Sequence, residues 1–307
     1  MGIKEIFEQL GPTPRIIKLL SQPDRLEEYK DEVDIAISEI TPDKLRKLVS
    51  DTRSLSMETD KGISHKLSLI SRVERDVVHS ARVVTPVTEL VKSRLARQLR
   101  VVSRNQQIEL YLLFWKSPQT RKMCGTLFEA IGLCIFPEGL DITLLPMVRL
   151  SRGSQAKSCP RWYTSHEPLT NQTLEAERRQ ALRRSQKMQI PPTTTQEFNP
   201  DGILSLREGV FYVPVSEIQE ALYAFLLLNG VLYILQFTAG REHSIKPGFV
   251  GFLQKCEHVP PFEEWKFIFL IPPGTTLLCP EPKSQLPGLC DLNPYSGELD
   301  LRPYLNL

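Results

Sequence analysis

Two apolar runs, residues 222–228 and 231–237, flank the dipeptide Asn229-Gly230. Asn-Gly between such runs predicts a β-hairpin, because a type I′ turn needs positive φ at both central residues. A two-residue turn also sets the register, so Leu228 faces Val231, Phe225 faces Ile234 and Tyr223 faces Gln236. Alternation then puts Tyr223, Gln236 and Thr238 on one face, opposite Leu222, Leu226, Tyr233, Leu235 and Phe237. Polar residues on the inner face of so apolar a hairpin are either an isolated satisfied pair or the remains of a site.

Upstream, the pattern has a helical period through residue 136. Four Ser/Thr-Pro steps, at Thr13-Pro14, Thr41-Pro42, Thr85-Pro86 and Ser117-Pro118, each place a capping hydroxyl before a proline suited to the first helical position. After Pro86, Leu90, Val91, Leu95, Leu99 and Val102 form an apolar stripe opposite Lys92, Arg94, Arg100 and Arg104. A further helix after Pro118 carries Glu129. Downstream, residues 144–150 and 211–213 read as strands, 174–187 and 246–257 as helices, and 265–271 as a buried strand stopped by Pro272-Pro273-Gly274.

These elements predict an α+β protein, an N-terminal helical bundle followed by a mixed α/β module. Residues 1–116 form the helical region, and 117–150 with 206–280 form the α/β module. Residues 151–205 are a basic, flexible insertion, and 281–307 a Pro-rich C-terminal tail.

Length and charge narrow the classes. The chain has 307 residues and a net charge of +2, room for two domains with no global field toward nucleic acid or membrane. The charge is uneven: residues 149–187 hold nine basic and three acidic residues. The six cysteines show no C-x-x-C pair, and the five histidines no pair at three to five residues, so a zinc site is not expected. The cysteines read as reduced thiols of an intracellular protein, cytoplasmic or nuclear. The N-terminus has no apolar segment of a signal peptide, and no run approaches the length of a membrane span.

One arrangement has a chemical precedent. A helix with a glutamate, a hairpin with polar inner residues, a crossover helix and a final strand make up the minimal unit of metal-dependent nucleases of the restriction-endonuclease fold. There, carboxylates hold Mg²⁺, which activates water for attack on a phosphodiester. The corresponding positions are Glu129, Tyr223, Gln236 and Thr238. Tyr223 stands where an Asp is needed, Gln236 offers one neutral carbonyl, and Thr238 cannot replace an ammonium. The expected site is therefore degenerate and holds no metal, with Mg²⁺ relevant only to residual cleavage.

Basic residues supply a second candidate. Arg178, Arg179, Arg183, Arg184 and Lys187 lie along one side of the predicted helix, suited to phosphate contacts or nuclear-import recognition, or simply solvated. His243 and Lys246 follow the hairpin and stand near a phosphate, unless His243 caps the next helix.

The stretches Tyr212-Val213-Pro214, Leu232 to Thr238, His243 to Lys246 and Trp265 to Pro273 resemble fungal proteins of the Crinkler/retrotransposon-hot-spot type. So do Ile6 to Arg15, Gly125 to Ala130 and Pro146 to Leu150 in the helical half and beyond. The resemblance covers nearly the whole chain outside 151–205. It implies a restriction-endonuclease-like module preceded by a P-loop NTPase module, and toxic or effector roles. No G-x-x-x-x-G-K-[S/T] occurs here, so nucleotide hydrolysis is not expected. The reading is a degenerate nuclease-like module able to bind nucleic acid through the basic segment. The alternative is a non-catalytic interaction module or a truncated mobile-element product.

Overall fold

A computed structural model describes residues 3–11, 13–54, 67–72, 82–116, 120–150, 161–164, 172–199, 202–215, 224–246, 248–280 and 294–305. The chain divides into two compact units, residues 1–131 with 301–307 and residues 132–300. Both helices and a large mixed sheet are present, so the class is α+β. Among the described residues no helix is long and apolar enough to cross a membrane.

The first unit contains α1 (Ile3–Leu10), α2 (Pro14–Leu19), α3 (Pro23–Ser38), α4 (Pro42–Ser54), β1 (Ser68–Arg72), β2 (Arg82–Pro86), α5 (Glu89–Arg100), α6 (Arg104–Lys116) and most of α7 (Arg121–Ile135). Two of the four proline steps behave as expected. The Thr13 hydroxyl accepts from Ile16 N–H, and that of Thr41 from Lys44 N–H, each at 3.3 Å. Ser117-Pro118 lies outside the described residues. The Thr85-Pro86 step does not start a helix: β2 runs through Pro86 and pairs antiparallel with β1. A proline's fixed φ suits an edge strand as well as a first turn. The cap comes from Thr88, whose hydroxyl accepts from Val91 N–H at 3.1 Å. The region is thus not helical throughout.

Burial follows the helical period. Leu26, Tyr29, Val33 and Ile37 are buried on α3, and Val91, Leu95 and Leu99 on α5, which packs against α1 and α3. Gln107, buried on α6, donates from Nε2 to Leu99 O at 2.6 Å and Val102 O at 2.7 Å. It thereby adds a bond to Leu99 O, which already accepts from Val102 N–H at 3.2 Å, and gives Val102 O, just past the end of α5, a partner. Arg94 pairs with Asp34, so this cation is engaged within the unit.

The second unit opens with the end of α7 and continues with β3 (Leu140–Pro146), β4 (Val148–Leu150), β5 (Arg161–Thr164), α8 (Gln172–Arg183), β6 (Gln186–Ile190), β7 (Thr194–Phe198), β8 (Val210–Pro214), β9 (Ala224–Leu228), β10 (Val231–Phe237), α9 (Gly248–Leu253), β11 (Trp265–Ile271), β12 (Leu277–Pro280) and β13 (Tyr295–Glu298). The main sheet has the order β6-β3-β13-β11-β10-β9-β8-β7, and β12-β5-β4 form a small antiparallel sheet. β10 and β11 are parallel, so the chain must cross over between them, and α9 makes that crossing. Phe249, Val250, Phe252 and Leu253 of α9 bury against Phe225, Ile234, Phe267 and Phe269. Each such side chain contributes roughly 1.5–3 kcal/mol of burial.

Three expectations are corrected here. Residues 172–199 are not a flexible insertion: α8 covers part of them, and β6 and β7 supply both edges of the main sheet. Their edge position explains the polar composition, since only Met188, Ile190 and Phe198 of these strands are buried. Residues 151–160 and 165–171 lie outside the described residues. The C-terminal segment is not merely a tail, because β13 lies between β3 and β11. Small residues let it fit there: Ser296 is buried, and a Cβ on Gly297 would stand 2.5 Å from Ile142 Cδ1. The strand expected over 144–150 is two strands, β3 in the main sheet and β4 in the small one.

Candidate functional site

The hairpin forms as its turn chemistry dictates. Asn229 has φ 53° and Gly230 φ 74°, the two positive angles of a type I′ turn. Leu228 pairs with Val231 and Phe225 with Ile234. The Glu208 carboxylate accepts both turn N–H groups, from Asn229 at 2.9 Å and Gly230 at 2.6 Å. Tyr223 lies outside the described residues.

Gln236 and Thr238 each bond locally. Half-buried Gln236 donates from Nε2 to the carbonyl of its neighbour Phe237 at 3.2 Å. Buried Thr238 accepts on Oγ1 from Gly240 N–H at 3.1 Å, a turn that ends the strand. Its own N–H donates to Leu270 O at 2.9 Å. Glu129 is half-buried on α7 and belongs to the first unit, whereas Gln236 and Thr238 belong to the second. Within the second unit, a Cβ on Gly132 would collide with the Phe237 ring, and Phe136 meets that ring edge-on at 6.1 Å. By alternation Phe237 points away from the face of Ile234 and Gln236. The end of α7 therefore lies on one face of the sheet, and Gln236 on the other with α9.

This donor set does not fit Mg²⁺. The ion needs hard, preferably anionic oxygens, whereas Gln236 is neutral and the Thr238 hydroxyl is engaged by Gly240. Among the described residues no three His, Cys, Asp or Glu side chains converge in a metal-binding group. No protein-family model, curated protein or solved structure matches this chain.

The basic tract separates into two classes. Glu175 accepts from Arg178 Nε and NH2, both at 2.8 Å, and from Arg179 Nε at 3.1 Å. Arg178 and Glu175 are 15% and 13% exposed, so this bidentate pair is largely covered. The hydrogen bond to Glu175 also raises the guanidinium's pKa above its ordinary value. Arg178 is an anchor, lining a shallow pocket with Leu145, Val148 and Tyr163. Arg183, Arg184 and Lys187 are exposed and make no ion pair among the described residues. They cluster because α8 ends at Arg183 and β6 begins at Gln186.

His243 does not cap α9, which begins at Gly248. Its N–H donates to Leu278 O at 3.0 Å, and its ring lies 6.1 Å from that of Phe269. Lys246 is half-buried in the same connection. These two residues are built into the loop beside β12, apart in sequence from the cations of α8 and β6.

Sequence reasoning passed over Lys266. Its Nζ lies 5.9 Å from the ring centres of both Tyr233 and Tyr295, and donates to Gln186 Oε1 at 3.3 Å. The available signal was a single lysine within the apolar run Trp265–Ile271.

Proposed function

We propose that the second unit is a nuclease-like module that binds nucleic acid without cleaving it. The observation that carries this reading is the exposed trio Arg183, Arg184 and Lys187, unpaired among the described residues at the α8–β6 turn. Exposed guanidinium and ammonium groups at one turn suit a polyphosphate backbone, and binding of that kind releases counterions.

Topology supports the nuclease-like half of the reading. Hairpin β9–β10, crossover α9 and parallel strand β11 follow in the order of the restriction-endonuclease-like unit. Along β8-β9-β10-β11-β13 only β9 runs against the others. The first unit is read with it as a helical bundle, the tail of an NTPase-type half, as the Crinkler/retrotransposon-hot-spot resemblance implies. The neutral, locally bonded Gln236 and Thr238 argue for binding over cleavage.

The test is duplex binding at two salt concentrations by the native protein and by the combined variant Arg183→Ala, Arg184→Ala, Lys187→Ala. Native affinity should fall steeply with salt, and the variant's slope should be smaller by roughly 2–3. Equal affinity and equal slope would remove the trio as the contact surface. Arg178 is left in place, because removing it takes two of the three guanidinium hydrogen bonds from a covered Glu175 carboxylate.

A further inference from the structure

The Tyr233–Lys266–Tyr295 row lies across three adjacent strands. Lys266 stands directly beside Tyr233 in the β10–β11 register, and Tyr295 pairs with Ile268, two residues further along β11. Alternation puts all three on one face of the sheet, where each is half-buried. The two rings and the ammonium therefore make an aromatic and cationic patch on a sheet surface that is otherwise strongly apolar.

The patch connects to the basic turn. Gln186, the first residue of β6, accepts from Lys266 Nζ, and Arg184 and Arg183 precede it by two and three residues. One end of the sheet thus carries rings, an ammonium and guanidinium groups in sequence. None of the contacts that hold Lys266 is short, so its ammonium can turn toward a phosphate at little cost. Glu208, the acid whose charge reaches Tyr233, is occupied by two turn N–H groups.

We infer that this end of the sheet binds single-stranded nucleic acid, with bases stacked on Tyr233 and Tyr295 and the backbone tracked by Lys266, Arg183 and Arg184. The inference rests on the nucleic-acid-binding reading above and specifies its substrate. A duplex hides its base faces, whereas a single strand exposes them to aromatic rings. The turn cations serve either form, but the two rings serve only the single strand.

The experiment compares a fluorescent single-stranded oligonucleotide with its duplex, by anisotropy at two salt concentrations. The proteins are the native chain, Tyr233→Leu with Tyr295→Leu, Tyr233→Phe with Tyr295→Phe, and the triple alanine variant of Arg183, Arg184 and Lys187. Loss of both rings should weaken single-strand binding at least about ten-fold, with the duplex affinity and the salt slope kept. The phenylalanine pair should bind the single strand as the native protein does. The native protein should also photocrosslink to iodouracil-substituted single strand at peptides containing Tyr233 or Tyr295, a readout independent of how well the leucine variant folds. Native-like single-strand binding by the leucine pair, or crosslinks confined to other peptides, would overturn the stacking site while leaving the basic turn intact. Equal losses for duplex and single strand would overturn the preference. No binding of either by the native protein would overturn both readings.

Discussion

Glu208 and Gly230 are joined across the hairpin: the Gly230 N–H donates to Glu208 Oε1 at 2.6 Å, while Asn229 N–H donates to Oε2 at 2.9 Å. Two donors that the turn leaves pointing outward thus meet one carboxylate. Backbone hydrogen bonds to a charged acceptor are stronger than neutral ones, although exposure reduces the net gain here.

Glu208→Ala should therefore destabilise the second unit by roughly 1–2 kcal/mol, and Glu208→Gln by less, since one amide oxygen remains to accept. Denaturant unfolding gives the energies. Amide exchange at Asn229 and Gly230 should quicken in both variants; unchanged exchange would show that the carboxylate does not hold the turn.

Thr164 and Ser296 share a buried hydroxyl pair at 2.8 Å, linking the small sheet to the main one. Ser296→Ala leaves the Thr164 hydroxyl buried without its partner and should cost roughly 1–3 kcal/mol. Adding Thr164→Val removes the orphaned hydroxyl, so the double variant should be more stable than the sum of the single losses implies. Strict additivity in a double-mutant cycle would contradict this coupling.

Cys279 is fully buried, and burial pushes its thiol from the ordinary 9.0 up to about 12. The folded chain keeps this proton where the unfolded chain loses it. Its contribution to stability is complete below about pH 9 and declines as pH rises toward 12. Between about pH 8 and pH 10.5, the native protein should lose roughly 1–2 kcal/mol more than Cys279→Ala does. Parallel pH profiles of the two proteins, from denaturant unfolding, would show that this thiol is not the linked group.

With Mg²⁺ or Mn²⁺, the native protein is expected to leave supercoiled plasmid intact. Tyr223→Asp adds a carboxylate at the position the resemblance implies, but with Gln236 neutral and the end of α7 on the other face of the sheet it should leave the plasmid intact as well. Nicking by the native protein would overturn the degenerate-site reading. Nicking by Tyr223→Asp that survives Glu129→Ala would move the site away from Glu129.

The β9–β10 hairpin was legible because its signal is local: Asn229-Gly230 sets the turn between two apolar runs, and the two-residue turn fixes the register. β11 was legible from its apolar run, interrupted only by Lys266. β6 and β7 were not, because an edge strand buries few side chains and reads as polar loop. β13 was hidden for the opposite reason. Tyr-Ser-Gly-Glu reads as a turn, yet the close approach of β3 favours such small residues at 296 and 297. At the candidate site, Gln236 and Thr238 were identified as polar residues on an inner face. Which helix shares that face depends on tertiary packing, and the structure gives it α9, with the end of α7 opposite. The split of the basic tract was equally invisible, since only the fold shows Glu175 holding Arg178 while Arg183 and Arg184 stand clear.

β13 is the last of the main-sheet strands to be translated, yet it sits between β3, the first, and β11. During synthesis β3 and β11 must each wait with an unpaired edge, although residues 191–193 already tie β6 to β7. Only when residues 295–298 clear the ribosome can the two be zipped into one sheet. Until then the nascent chain is open to strand exchange with its neighbours on a polysome, and a holdase covering those edges would matter most in that interval.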